Sequence, residues 1–372
     1  MKNGLSIIFG KLSNCEDLTA DETEFAAGRI LNDLANNKPN ILALLVAFFG
    51  GLTLKGPTIE ELTGMAAAME ATKKFTFNFN VRKPLVTAGG TGGDTIPTIN
   101  VTTPAVIVAA SAGAFALKSG ARAFSSKTGS SDLADALGIN INTSRNVVKE
   151  CVEKIGVTAW ASGGVYPWMR PLIELGSRKS TSTVMSFLYS LRLMIATALN
   201  PFSIKRQVRG VSKPFTETIA KVLSKCGYEK ALVVLGYGET EETRIDEWSN
   251  LGKTIVSELK LNGSIDTYQF YPEDIGLKRG KIEEIVARES HLENAKVAVK
   301  ILSGKDKSSR RDLILLNAAS ILYLSDEARD IKDGYELAKQ SLDTGRAIEK
   351  LRQLIILSGG QIEKLKSIIS SM

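Results

Sequence analysis

Histidine and cysteine are scarce in this chain of 372 residues. It contains one histidine, His291, and three cysteines that lie far apart in the sequence, Cys15, Cys151 and Cys226. With one histidine in the chain, a zinc site and a histidine-dependent catalytic triad are nearly excluded. The cysteines have no metal-binding spacing and cannot all pair, so we expect a reducing, cytoplasmic environment. His291 lies in a polar helical pattern and is expected at the surface.

Long apolar segments and a strong excess of one charge are also missing. The apolar run 41–49 is too short to cross a membrane, and the first residues do not form a signal peptide. We therefore expect no membrane partner. The 47 basic and 40 acidic residues are well mixed and give a net charge of +7. This balance permits a polyanionic partner such as nucleic acid but does not require one.

What the sequence does contain is a polar, glycine-rich stretch over residues 89–132 that suits a phosphorylated ligand. Four glycines between positions 89 and 93 let the backbone approach a ligand closely, and Asp94 closes the loop. The segment 100–104 predicts a helix start, with Thr102 or Thr103 as the cap. A helix N-terminus beside a glycine loop is an anion-binding site.

The same stretch continues with a lysine and a second polar turn. A short apolar strand over 114–117 delivers Lys118, and the turn 125–131 precedes a helix expected to start at Asp132. Two helix N-termini and a lysine could therefore converge on one anion. Glycine loops before helices are common in α/β folds, so a purely structural interpretation stays open. The combination of hydroxyls, a lysine and an acid in one window favours binding.

An acidic loop follows a buried strand further along the chain. The strand is predicted over 231–235, and the loop 236–247 ends in the pair Asp246 and Glu247. Loops after parallel strands commonly bear function. Paired carboxylates are good Mg²⁺ ligands when phosphates fill the other positions. The alternative is that this acidic loop is merely solvated.

The hydrophobic pattern predicts an α/β protein with a small N-terminal helical domain. Residues 1–77 contain helix starts at Thr19 and Thr58 and a buried helix that ends at the glycines after position 49. Helices from about 170–200 are expected to join this domain. Residues 78–169 and 201–372 form the larger α/β domain, whose alternating strands and helices predict a mainly parallel central sheet flanked by helices.

These motifs resemble those of anthranilate phosphoribosyltransferase and its relatives among the nucleoside phosphorylase-like transferases. The family pattern G-T-G-G-D, N-x-S-T, K-H-G-N-R and S-x-x-x-G-S-x-D corresponds to segments that begin at Gly90, Asn100, Lys118 and Ser125. The order and spacing match throughout, and the family's acidic pair corresponds to 246–247. The resemblance covers nearly the whole chain and is weakest across residues 170–200.

The resemblance implies an enzyme of tryptophan biosynthesis, a Mg²⁺-dependent pentosyltransferase. It would transfer phosphoribosyl from 5-phosphoribosyl 1-pyrophosphate to anthranilate or another aromatic nitrogen acceptor and release pyrophosphate. The implied substrate-binding residues are Gly90, Thr91, Gly92, Gly93, Asp94, Asn100, Thr102, Thr103, Lys118 and Ser130. The family's arginine for the acceptor carboxylate has no secure counterpart, and Arg178 and Arg192 are the two candidates. Thr102, Asp246 and Glu247 would hold the metal. The helical domain would pack against a partner subunit, which implies a homodimer.

The acceptor side departs from the family pattern. Ser119 and Ala121 stand where the family has histidine and asparagine, and Tyr166 stands where it has another histidine. A pocket that lacks polar partners binds the corresponding ligand poorly. The acceptor is therefore not identified by the sequence.

Two other functions stay open. The first is a non-catalytic relative that binds nucleic acid through basic surface. The small basic cluster Lys205, Arg206 and Arg209 is then a polyanion contact, whereas otherwise it is a solvated helix end. The second is a nucleoside phosphorylase, which the pattern over 118–132 also resembles.

Overall fold

The computed structural model describes residues 3–120, 129–161, 164–177 and 199–372. The chain divides into two compact units. The first comprises Met1–Thr76, Ser162–Ser203 and Lys221–Gly227, and the second comprises Phe77–Ala161, Ile204–Ala220 and Tyr228–Met372. The assignment of domains with limits at residues 77, 169 and 201 stays a prediction.

The first unit is helical, and two of its helices begin where local capping signals predict. Its helices are α1 Asn3–Ser13, α2 Ala20–Ala35, α3 Ile41–Lys55, α4 Ile59–Ala71 and α8 Met169–Ser177. Thr19 caps α2 and Thr58 caps α4. In each case the threonine hydroxyl accepts from a backbone N–H three residues on, and the glutamate there, Glu22 or Glu61, accepts from the threonine N–H.

The helix α3 is longer than the sequence predicts. It passes through Gly50 and Gly51 and ends at Lys55, before Gly56 with a φ of 86°. A β-carbon added to Gly51 would lie 3.3 Å from Cβ of Leu12 on α1. The glycine therefore makes room for a neighbouring helix instead of ending its own, so the predicted end after residue 49 was wrong.

The second unit is built on an eight-stranded sheet in the described part of the chain. Its strands are β1 Leu85–Gly90, β2 Phe115–Gly120, β3 Val157–Ala161, β4 Arg206–Gly210, β5 Lys230–Tyr237, β6 Arg244–Ile245, β7 Thr254–Leu259 and β8 Ile265–Phe270. The strand order is β3-β2-β1-β4-β5-β7-β8, and β6 pairs with β5. The strands β3, β2, β1, β4 and β5 are parallel, whereas β6, β7 and β8 pair antiparallel. The predicted fold class is confirmed.

Helices cover the sheet and complete a continuous apolar core. The remaining helices are α5 Thr102–Ser111, α6 Ser130–Ala136, α7 Arg145–Ile155, α9 Thr216–Lys225, α10 Ile282–Ile285, α11 His291–Leu302, α12 Ser309–Leu324, α13 Ile331–Asp343, α14 Arg346–Leu357 and α15 Ile362–Ser370, with a 3-10 turn at Pro272–Ile275. The strand β5 is buried along nearly its whole length, as expected for an apolar strand covered on both faces. Among the described helices, none is both long enough and apolar enough to cross a bilayer.

The start of α5 and the extent of β2 differ from prediction by a few residues. The helix α5 begins at Thr102, so Thr102 and Thr103 lie in its first turn and neither is its cap. The strand β2 runs to Gly120, so Lys118 lies inside the strand. His291 is the first residue of α11 and is exposed, which confirms its predicted surface position.

The direction of chain connection changes between β1 and β4. The chain leaves β1 through α5 to β2 on one side, and it leaves β4 through α9 to β5 on the other side. In an open parallel sheet, such a switch point opens a crevice at the carboxyl ends of the two strands. The glycine loop after β1 begins at this edge.

Candidate active site

The glycine loop is fixed to the end of β4 by hydrogen bonds. The N–H of Thr91 donates to the carbonyl oxygen of Gly210 at 3.0 Å, and the hydroxyl of Ser212 donates to the carbonyl oxygen of Gly92 at 2.9 Å. Gly92 and Gly93 have φ values of 69° and 98°, which residues with a side chain rarely adopt. The predicted loop is therefore a defined structure across the β1/β4 crevice.

The two strands that border the crevice end in glycine because Asp246 lies against both. A β-carbon added to Gly90 would lie 1.9 Å from Oδ2 of Asp246. One added to Gly210 would lie 1.4 Å from the carbonyl oxygen of Asp246. Such distances are far below van der Waals contact, so only glycine allows this close approach. The acidic loop thereby reaches the carboxyl edge of β1 and β4.

Three carboxylates meet at this edge. Oxygen atoms of Asp94, Asp246 and Glu247 all lie within 4.8 Å of one another. The N–H of Asp246 donates to Oδ1 of Asp94 at 2.8 Å, and the hydroxyl of Thr98 donates to Oδ2 of Asp94 at 3.2 Å. The N–H of Gly92 donates to Asp246. The atom Oε2 of Glu247 is buried and has no hydrogen-bond partner within the described residues.

The environment of this acidic cluster favours a bound cation. Burial, and then the nearby charge of Asp246, raise the pKa of the Asp94 carboxyl well above its usual range. Burial, and then the charges of Asp246 and Asp94, raise the pKa of Glu247 in the same way. A divalent cation would relieve this repulsion and use the unpartnered oxygen of Glu247. An all-oxygen set of ligands fits a hard cation such as Mg²⁺.

Two buried cations lie close to the acidic cluster. Lys118 on β2 is 8% exposed and Arg209 on β4 is 6% exposed. Burial, and then the charge of Arg209, lower the pKa of Lys118 to about 8, while the charges of Asp246 and Glu247 act in the opposite direction. The ammonium of Lys118 donates to the carbonyl oxygen of Ser119. The crevice therefore carries both acidic and basic groups at one edge of the sheet.

Other predicted site residues lie at the starts of two helices. Thr102 is the first residue of α5 and Ser130 is the first residue of α6, while Asn100 is half-buried just before α5. The hydroxyl oxygen of Thr103 is buried and has no hydrogen-bond partner in the described part of the chain. Their phosphate roles, and the metal role of Thr102, stay predictions. Both candidates for the acceptor arginine, Arg178 and Arg192, lie outside the described residues.

The basic cluster predicted from sequence does not exist as a surface feature. Arg206 begins β4 and makes ion pairs with Glu229 at 3.3 Å and with Asp326. Arg209, near the other end of this strand, is buried beside Lys118. The interpretation as a solvated helix end was therefore wrong, because Arg206 and Arg209 lie in β4, whereas the polyanion contact stays a prediction. The signal that could have located Arg209 is its place one residue before Gly210, at the end of a buried strand.

Comparison with known proteins places these features in a family. Residues 82–348 match a family model described as glycosyl transferase family, a/b domain. Residues 6–72 match the one described as glycosyl transferase family, helical bundle domain. Together the two matches span both the sheet with its acidic cluster and the N-terminal helices.

Relatives and solved structures agree over nearly the whole chain. Anthranilate phosphoribosyltransferase of Methanococcoides burtonii is 35% identical over 351 residues, which cover 94% of this chain and 93% of the relative. The crystal structure of the enzyme from Thermus thermophilus has a TM-score of 0.80 at 27% identity, covering 94% of this chain and 98% of its own. The Saccharomyces cerevisiae enzyme in complex with PRPP and Mg has a TM-score of 0.80 at 23% identity, covering 96% and 98%. The chain therefore belongs to the anthranilate phosphoribosyltransferase family of glycosyl transferases and is a pentosyltransferase.

Proposed function

We propose that this chain is a Mg²⁺-dependent phosphoribosyltransferase that uses 5-phosphoribosyl 1-pyrophosphate as donor. The observation that carries the proposal is the cluster of Asp94, Asp246 and Glu247 beside the glycine loop and Lys118. A relative from yeast has been solved in complex with PRPP and Mg. The acidic cluster, the glycine loop and the buried lysine together suit a metal-bound pyrophosphate.

The glycine loop and the adjacent residues would bind the donor. Gly92 and Gly93 carry no side chain and lie next to the acidic cluster, so phosphate oxygens can approach the backbone closely. The first turn of α5 presents backbone N–H groups and the buried, unpartnered hydroxyl of Thr103. Helix N-termini favour anions, so we assign the start of α5 to a phosphate of the donor.

The reaction exchanges one bond at the anomeric carbon for another. The bond from this carbon to pyrophosphate breaks, and its electron pair leaves with the pyrophosphate oxygen. The nitrogen of the acceptor forms the new bond and loses a proton to solvent. We assign Lys118, which is buried near Asp246 and Glu247, to stabilise the departing negative charge. Mg²⁺, when bound by Asp94, Asp246 and Glu247, supplies positive charge that neutralises the pyrophosphate.

The acceptor in this proposal is an aromatic nitrogen compound. Anthranilate is the first candidate, because the similar proteins from other organisms are named anthranilate phosphoribosyltransferase. Two positions weaken the assignment to anthranilate itself. Ser119 offers only a short hydroxyl, and Tyr166 is buried, with its hydroxyl accepting from the N–H of Asn200 at 3.1 Å. Ala121 lies outside the described residues. A panel of aromatic amines and ring nitrogens is therefore the appropriate acceptor screen.

Calorimetric titration of the donor tests the proposal. We expect 5-phosphoribosyl 1-pyrophosphate to bind the wild-type protein in the presence of Mg²⁺ and not in EDTA. The double variant Asp246→Ala/Glu247→Ala should lose this binding. The matched control Glu241→Ala removes an exposed acid from the same loop and should bind as the wild type does. A folded wild-type protein that binds no donor would overturn the proposal.

The two other functions considered from the sequence gain no support from the described residues. Nucleic-acid binding needs cations at the surface, whereas Arg206 is ion-paired and Arg209 is buried. The family assignment also favours an enzyme over a non-catalytic relative. Nucleoside phosphorolysis has no observation that favours it over transfer from a pyrophosphate donor.

We also propose a homodimer formed through the helical domain. The helix α3 is apolar around its whole circumference and has no charged residue before Lys55. Leu54 on this helix is 78% exposed, and Ala43 and Ala47 share its face. An apolar helix face of this kind is typical of an interface with another protein.

We further propose a cytoplasmic location. The three cysteines, Cys15, Cys151 and Cys226, form no disulfide with one another, which is consistent with it.

A further inference from the structure

The geometry points to Arg209 and Lys118 as a two-cation cradle for the pyrophosphate group of the donor, with Gly89 as its floor. The inference deepens the proposed function and rests on it. It assigns a ligand contact to Arg209, which the sequence alone shows only as part of a small basic cluster. It also assigns a steric role to Gly89, which had no specific role.

The two side chains come from neighbouring strands and converge above a third residue. Gly89 is the register partner of Arg209 across the β1/β4 pair. A β-carbon added to Gly89 would lie 3.8 Å from Nη1 of Arg209 and 3.9 Å from Nζ of Lys118. Both cationic groups therefore border the small space that the missing side chain of Gly89 leaves open. This space lies at the β1/β4 switch point, where ligands bind in open parallel sheets.

Burial of two cations at such short range is costly without an anion. Both residues are less than a tenth exposed, so water screens their repulsion poorly. The nearby carboxylates offset part of this repulsion, but they are themselves the proposed metal ligands. When these carboxylates hold a divalent cation, they offset less of the repulsion between Lys118 and Arg209. A ligand anion that enters with the metal supplies further negative charge.

Pyrophosphate fits this arrangement better than the carboxylate of an acceptor does. Pyrophosphate carries several negative charges and can interact with both cations at once, whereas a carboxylate carries one. Magnesium in proteins is commonly held by one or two carboxylates together with phosphates of the substrate. Lys118 interacts electrostatically with Asp246 and Glu247, so an anion in the cradle lies within reach of a metal on those residues. Arginine also presents a planar fork that matches phosphate oxygens.

The cradle would act when the bond to the anomeric carbon breaks. The electron pair leaves with pyrophosphate, so negative charge grows on the oxygen atoms that the cradle holds. The guanidinium of Arg209 remains charged at any pH at which proteins are stable, so it supplies a constant positive charge next to Lys118. Arg209 then contributes both to donor binding and to stabilisation of the leaving group.

Calorimetry with inorganic pyrophosphate as the probe, in Mg²⁺ and in EDTA, tests the inference. Arg209→Met removes the charge and keeps an unbranched side chain. Gly89→Ala fills the space between the cations, and its methyl group meets the protein only at ordinary contact distances. We expect each variant to bind pyrophosphate at least about tenfold more weakly and to raise the KM for the donor. The control Lys205→Met makes the same change in charge at an exposed position beside β4 and should change binding less than about twofold.

The possible outcomes distinguish failure of the cradle from failure of the proposed function. If the wild type binds the donor but Arg209→Met and Gly89→Ala bind pyrophosphate as the wild type does, the cradle is wrong and the proposed function stands. A rise in the KM of the acceptor alone would also overturn the cradle. If the folded wild type binds neither pyrophosphate nor donor, the proposed function itself fails. Gly89→Ala keeps both cations, so it tests the space separately in case Arg209→Met does not fold.

Discussion

At the scale of single residues, the candidate site depends on glycines, which have no side chain, as much as on its charged side chains. Gly90 and Gly210 end two neighbouring strands, and both touch Asp246 at distances that exclude a β-carbon. At Gly210 this close packing cannot relax easily, because protein interiors are dense and the contacting atoms of Asp246 belong to its backbone. The position of the acidic cluster therefore depends on two glycines that leave room for Asp246.

We expect Gly210→Ala to destabilise the protein by about 1–3 kcal/mol and to impair donor binding. The added β-carbon would overlap the carbonyl oxygen of Asp246 and push the acidic loop away from β1. Thermal unfolding gives the first quantity and calorimetric titration of the donor gives the second. Gly10→Ala is the control, since a β-carbon on this glycine in α1 meets nothing within 4 Å. Equal unfolding temperatures for Gly210→Ala and wild type would contradict the prediction.

At the scale of helices, the buried Glu61 links the C-terminal end of α3 to the N-terminal end of α4. Glu61 accepts from the N–H of Leu18 at 2.9 Å and from the N–H of Thr58 at 2.8 Å. It also pairs with the ammonium of Lys55 at 2.9 Å, and both side chains are nearly inaccessible to solvent. The glutamate of one capping box thus also holds the loop before α2 and the last residue of α3.

We expect Glu61→Ala to lower the free energy of unfolding by about 3 kcal/mol, because Lys55 would lose a buried partner and two backbone N–H groups would lose their acceptor. Glu60→Ala is the matched control. It removes a half-exposed ion pair with Lys225 and should cost less than about 1 kcal/mol. Urea unfolding followed by circular dichroism measures both. A cost for Glu61→Ala no larger than that for Glu60→Ala would show that this network adds little.

At the scale of strands, Asp326 holds together the beginnings of β4 and β5. Its carboxylate accepts a hydrogen bond from Arg206, the first residue of β4. It also accepts one at 2.9 Å from Lys230, the first residue of β5. Burial acts to raise the pKa of the Asp326 carboxyl, but the hydrogen bonds from Arg206 and Lys230 outweigh it and the pKa is lowered on balance. The end of the sheet opposite the candidate site is thus held by a pH-dependent ion-pair network.

A lowered pKa in the folded protein fixes the sign of the pH dependence. The stabilisation is present above the unfolded-state pKa and is lost as the pH falls through the folded-state pKa. We expect Asp326→Asn to cost about 0.5–1 kcal/mol at pH 7, since the carboxylate is half exposed. The difference from wild type should vanish in acid, below the lowered pKa. Urea unfolding at several pH values measures it, and a difference that grows as the pH falls would contradict the prediction.

At the scale of the whole molecule, the exposed face of α3 predicts assembly of two chains. Leu54 is 78% exposed, and Ala43 and Ala47 lie on the same face. We expect light scattering to give twice the mass of 40.1 kDa for the wild type. Leu54→Glu should shift the mass toward a single chain, because a charge on this face would be buried without a partner.

The control for this change lies in the hairpin between β7 and β8. Leu261 is 64% exposed there, so Leu261→Glu makes the same substitution on another surface and should leave the mass unchanged. A wild-type protein that has the mass of one chain at micromolar concentration would exclude the proposed dimer. If both variants dissociate equally, the interface does not lie on α3.

Local signals were enough to predict much of the fold. Thr19 and Thr58 begin helices as predicted, because a capping box satisfies backbone groups within four residues. The alternation of apolar strands and helices predicted the mainly parallel sheet, because both faces of such strands must be covered. The acidic pair at 246–247 stood out because it follows a buried strand. The extent of α3 was mispredicted because its glycines serve packing against α1, which no local pattern shows.

The sequence by itself determined helix starts, the strand pattern and the presence of glycine-rich and acidic motifs, since each depends on neighbours along the chain. Only the tertiary structure decided which motifs meet. It brought Asp94 into the cluster with Asp246 and Glu247, and it placed Arg209 beside Lys118. The physical reason is strand order, because β4 enters the sheet next to β1 although it lies over a hundred residues away in sequence. Contacts between the ends of those strands depend on that pairing alone.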